Sequence, residues 1–138
     1  MSRILVAVST PYAAERLAES VADMAERLRA EVLAVNVSRP TGPQGREQAD
    51  NEGEASVRML AEAIRGRGQT VQTLLLFSDD IARAILNTAK ERDCTLIVLG
   101  LTGKNIFARL LAGNVPVELI KETHIPVMLL PPEWTGRV

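Results

Sequence analysis

With 138 residues, 46% of them hydrophobic and only 3% aromatic, the chain has the size of one domain with an aliphatic core. Sixteen Lys and Arg stand against seventeen Asp and Glu, a formal net charge of −1, which excludes the broad basic field that holds nucleic acid or an anionic membrane. The single cysteine, Cys94, excludes an internal disulfide and has no second thiol beside it for a metal or redox pair, so a reducing, cytoplasmic setting is expected.

Met1-Ser2-Arg3 is followed by a five-residue apolar run, Ile4–Val8, too short for a signal peptide and read as the first strand. Leu17, Val21, Met24 and Leu28 then recur at steps of four, three and four, predicting a helix over about Tyr12 to Arg29 with one apolar stripe. Val32–Val37 reads as the second strand. The segment Ser38–Glu54 carries Pro40, Gly42, Pro43, Gly45 and Gly53, and its first part, about 38–50, is expected to be a mobile surface loop. Val57, Leu60, Ala61 and Ile64 define a second helix, and Val71–Phe77 a third strand. Ile81, Ile85 and Ala89 define a third helix, capped by Ser78 or Asp79. A fourth strand follows at Leu96–Leu99. A fourth helix runs from about Asn114 to Glu122, with Pro116 in the first turn, where no donated N–H is needed. Val127–Leu130 is the last strand, and no stretch approaches the length of a membrane span.

Strands that are apolar throughout, alternating with longer segments of helical period, describe a parallel sheet covered on both faces. The expected fold is a single α/β domain: a doubly wound, Rossmann-like, five-stranded parallel sheet of order 3-2-1-4-5 with four helices. In that order the first and fourth strands lie side by side where the winding reverses, and their carboxyl ends open a ligand crevice. Ser9-Thr10-Pro11 and Gly100-Leu101-Thr102-Gly103 sit at those ends.

The glycine turn is the most informative motif. Gly100 and Gly103 are separated by two residues, and Gly113 follows after nine more, leading through Asn114-Val115 into the fourth helix. Phosphate oxygens need several backbone N–H donors converging on one point, and residues without side chains let the main chain approach closely enough to supply them. The unsatisfied first-turn N–H groups of the helix and its positive dipole end add to that cradle. Read blandly, the same glycines are ordinary turn residues. The turn is not a Walker A loop: two residues rather than four separate Gly100 from Gly103, and Asn105 stands where Ser or Thr would hold magnesium.

Over nearly its whole length the chain resembles a universal stress protein domain of the ATP-binding branch. The resemblance is carried by Ile4-Leu5-Val6-Ala7-Val8, Leu96-Ile97-Val98-Leu99-Gly100, the Gly100/Gly103/Gly113 spacing with Asn114-Val115, and Ile125-Pro126-Val127-Met128-Leu129-Leu130. It implies an adenine-nucleotide pocket taking ATP or AMP, with or without Mg2+. Gly100, Gly103, Gly113, Asn114 and Val115 would then line the phosphates and ribose, Ala7, Ser9, Val37 and Leu99 the adenosine, and Lys104 would reach a terminal phosphate. It also implies a homodimer formed by pairing the last strands, here Val127, Met128, Leu129 and Leu130.

Three positions depart from that family's pattern. Ser9 replaces the usual aspartate closing the first strand, a shorter and uncharged group that makes weaker hydrogen bonds. Asn114 replaces Ser or Thr and caps a helix at least as well. Thr102 replaces a larger, often basic side chain, removing one phosphate contact.

No catalytic or metal-binding set emerges. His124, the only histidine, stands just before the last strand without a nucleophile or further ligands near it in sequence, and reads as structural. Trp134, after Pro131-Pro132, packs on the body or on a second subunit. Two functions stay open. One is a nucleotide-binding regulatory domain without catalysis, acting on an unknown protein partner. The other is a nucleotide-free dimeric interaction module, in one variant serving a membrane transporter.

Overall fold

The computed structural model describes residues 2–38, 42–100, 115–131, 134 and 136–138, with side chains omitted at 42–50 and 116. The elements run β1 (Arg3–Ala7), α1 (Pro11–Leu28), β2 (Glu31–Ser38), α2 (Gly42–Gly66), β3 (Val71–Phe77), α3 (Ile81–Glu91), β4 (Leu96–Gly100), α4 (Val115–Glu122) and β5 (Val127–Leu130). All strand pairs are parallel and the order is β3-β2-β1-β4-β5, as the alternation of apolar runs and helices implies.

The side-chain alternation of each strand sorts the core into two layers. Ile4, Val6, Val32, Ala34 and Val98 point to one face, against Leu17, Val21 and Met24 of α1 and Val57, Leu60 and Ile64 of α2. Leu5, Leu33, Val35, Ile97 and Leu99 point to the other, against Ile85, Leu86 and Ala89 of α3 and Leu119 of α4. Burial on both faces holds for the three inner strands. The edge strands are partly open, and Gln72, Thr73 and Leu75 of β3 and Leu129 of β5 are exposed.

α1 starts where Thr10, in extended conformation, accepts a bond at its hydroxyl from the Ala13 N–H (3.1 Å), with Pro11 at the first helical position. It ends at Arg29, held in the left-handed region (φ 51°), with Ala30 N–H donating to Ala25 C=O and Arg29 N–H to Glu26 C=O. That is a Schellman closure with a side chain where glycine is usual. Leu28, expected in the apolar stripe, falls in this final turn and is half exposed.

Two expectations need correction. The loop foreseen over 38–50 gives way to helix from Gly42, since Pro43 is tolerated in a first turn and the Gln, Arg, Glu and Ala residues that follow are good helix formers. The cap of α3 is Asp80, whose carboxylate accepts from the Arg83 N–H (3.1 Å); Ser78 instead braces Asp80, its hydroxyl accepting from the Asp80 N–H.

Beyond β5, Trp134 and residues 136–138 lie against the α1 side. Trp134 packs against the α1/α2 layer of the core, which places it on the body of its own domain. The Ser20 hydroxyl donates to Gly136 C=O (2.6 Å), Arg27 donates to Val138 C=O, and Arg137 Nε donates to Asp23 Oδ2 (3.2 Å). Asp23 also faces Arg27 and Arg67. Burial pushes its carboxyl up, but the bond from Arg137 and the charges of the three arginines outweigh this and hold it below the ordinary carboxylate value.

Candidate functional site

The chain feeds β1, β2 and β3 to one side and β4 and β5 to the other, so β1 and β4 are neighbours at the reversal. Ala7, the last residue of β1, pairs in register with Leu99 of β4 and Val35 of β2. Val37, two residues beyond Val35, stays on the same face. Val115, opening α4, joins the same layer. The structure thus gathers Ala7, Val37, Leu99 and Val115 on one face near the carboxyl end of the sheet. Leu99 is buried and the other three are only partly covered.

Ser9 is exposed just past β1, in the turn that leads to the Thr10-capped start of α1. Gly100 closes β4 but turns its missing side chain the opposite way, as its alternation with Leu99 requires. A Cβ there would lie 2.5 Å from Leu17 Cδ1. Gly100 therefore has a packing reason of its own, in addition to any ligand. Thr102, Gly103, Lys104, Gly113 and Asn114 lie outside the described residues.

Asn36 is a buried polar residue beside this site that the sequence reading did not single out. It interrupts the apolar second strand, and that lone polar letter was the available signal. Its carboxamide is 3% exposed; Nδ2 donates to Val8 C=O (2.8 Å) and to Ser9 C=O (3.4 Å), and Oδ1 accepts from the Ser38 hydroxyl (2.9 Å).

His124 is exposed before β5. Cys94 is buried in the turn before β4 among the α3-side residues, and burial, its largest influence, pushes the thiol up. No helix among the described residues is long and apolar enough to cross a membrane.

Together, the doubly wound sheet and the half-covered apolar face at its reversal define an α/β domain of the kind that takes ligands at its strand ends. The chain belongs to the universal stress protein family, whose model matches residues 1–131. Sensor protein KdpD of Mycobacterium tuberculosis (strain CDC 1551 / Oshkosh) is 30% identical over 121 residues, covering 88% of this chain. The chain spans 13% of the length of that sensor. The solved universal stress protein from Archaeoglobus fulgidus is 26% identical with a TM-score of 0.72, over 94% of this chain and 98% of that one. A structure of the universal stress protein from Archaeoglobus fulgidus in complex with dAMP is 24% identical with a TM-score of 0.70, over 94% and 97%.

Proposed function

We propose that this chain binds an adenine nucleotide at the carboxyl ends of β1, β2 and β4 and works as a regulatory domain rather than as an enzyme. The observation that carries this reading is the register of Ala7 with Leu99 at the reversal, with Val37 and Val115 on the same half-covered face. A partly open apolar wall suits the face of a purine, and a polar turn beside it suits the ribose. In this reading Ala7, Ser9, Val37 and Leu99 hold the adenosine, while Gly100, Thr102, Gly103, Lys104, Gly113, Asn114 and Val115 hold ribose and phosphates.

The dAMP complex of a similarly folded protein supports an adenine nucleotide and favours a monophosphate as the first probe. ATP, with Mg2+ bridging its phosphates, is the larger occupant the same cradle would take. Similarity to part of a sensor protein supports a signalling role in the cytoplasm, in which occupancy biases contact with a protein partner. Dimerisation belongs to the same reading: β5 is an edge strand paired on one side by β4, and Val127, Met128, Leu129 and Leu130 offer its other side to a second copy.

Purified protein, denatured and cleared, should release AMP or ATP into the supernatant, and calorimetry should show binding of the same nucleotide with phosphate release near background. No released nucleotide and no heat with either probe would overturn the reading. It would favour the nucleotide-free interaction module, to which Ser9 in place of a carboxylate and the packing role of Gly100 point.

A further inference from the structure

The strands of this sheet are apolar inside except at Asn36, and the fold accepts two penalties to keep that residue. One is the burial of a carboxamide. The other is Gly53 inside α2, where glycine weakens a helix. The two are linked: a Cβ on Gly53 would lie 2.5 Å from Asn36 Oδ1 and 2.9 Å from its Cγ, so the helix leaves out a side chain where the amide needs room.

The amide is aimed at the turn between β1 and α1. The Val8 N–H still bonds Val35 C=O (3.0 Å), but β1 then leaves the ladder, and the carbonyls of Val8 and Ser9 turn toward β2. Both accept from Asn36 Nδ2. The two carbonyls fix which way round the amide sits, because they can only accept and so face its NH2 group, leaving Oδ1 to accept from the Ser38 hydroxyl. The turn so held contains Ser9 and the Thr10 cap of α1.

We infer that Asn36 is a positioning residue for the nucleotide site: it sets the main-chain path of Val8–Thr10 and thereby where Ser9 and the amino-terminal end of α1 meet the ligand. This rests on the functional reading above for the ligand's identity, though not for the hold on the turn.

The test uses Asn36→Ala, which removes the donor, and Gly53→Ala, which displaces the amide without altering it. Ile64→Val, a buried change in α2, controls for lost stability. AMP affinity is measured by calorimetry and the amides of Ser9, Thr10 and Tyr12 by NMR. Asn36→Ala and Gly53→Ala are each expected to weaken AMP binding by about tenfold, the size of one lost buried hydrogen bond, and to shift those three amides. Ile64→Val should change neither. Wild-type affinity in the two alanine variants, or unshifted turn amides, would overturn the inference. If Asn36→Ala does not fold, Gly53→Ala decides. If the wild type itself does not bind AMP, the functional reading falls, while the turn amides still decide whether Asn36 holds the turn.

Discussion

The two faces of the sheet are finished differently. On one, α1 with 18 residues and α2 with 25 lie over the strands, and Trp134 and residues 136–138 lie against that layer. On the other, α3 has 11 residues and α4 has 8, so these helices reach only about 16 and 12 Å at 1.5 Å per residue. Ala7, Val37 and Val115 are left half covered at the carboxyl end of that second face. Among the described residues, one face is therefore covered by longer helices, and the other leaves these three residues only partly covered at the reversal, where the proposed ligand would lie.

Substitutions that separate the two roles would break or sharpen this contrast. The largest effect is expected on the closed face: Leu60→Ala, at a fully buried site, should lower stability by about 2–5 kcal/mol in denaturant titration while the folded fraction keeps its nucleotide affinity. On the half-open face, Ala7→Leu should do the reverse. Adding bulk to a partly covered position would weaken AMP binding tenfold or more, about 1.4 kcal/mol by calorimetry, with a smaller change in melting temperature. Equal losses of stability and affinity in both variants would erase the distinction.

Smaller effects probe how the closed face is tied down. Arg29→Gly relieves a left-handed residue at the end of α1 and should stabilise the domain by about 0.5–1 kcal/mol, read as a higher melting temperature. The smallest effect is a pH dependence at Asp23. Its carboxyl is held below the ordinary value of 3.8, so the stabilisation from its arginine partners is present above that value and fades as pH falls through the lower native one. Asp23→Asn should flatten that acid limb of the stability curve, as acid titrations followed by circular dichroism would show.

Architecture was legible because a parallel sheet covered on both faces writes itself as uninterrupted Val, Ile and Leu runs: β3 and β5 coincide with their predicted bounds, β1 and β2 differ by a residue at each end, and β4 by one at its carboxyl end. The first turns of α2 were hidden by Gly42, Pro43 and Gly45, which signal a loop locally yet permit helix once the later turns pack. At the candidate site, Ala7, Val37, Leu99 and Val115 were expected from the family resemblance alone, and the strand register brings them to one face. Asn36 and the Gly100–Leu17 approach were not, because both depend on which atoms meet across elements far apart in sequence. The docking of Trp134 depends in the same way on a long-range partner, and sequence alone left two surfaces open to it.

The placement of β1 at the centre of the sheet has a consequence for how the polypeptide emerges from the ribosome. Its first neighbour, β2, follows promptly, but its second, β4, is joined through Arg3 and Thr95, 92 residues apart. Until synthesis passes that point, the innermost strand has one flank without its partner, so this part of the nascent chain carries an open strand edge. Slowing the ribosome before Thr95 should lengthen the time for which that edge stays open, read as greater protease sensitivity of the stalled nascent chain.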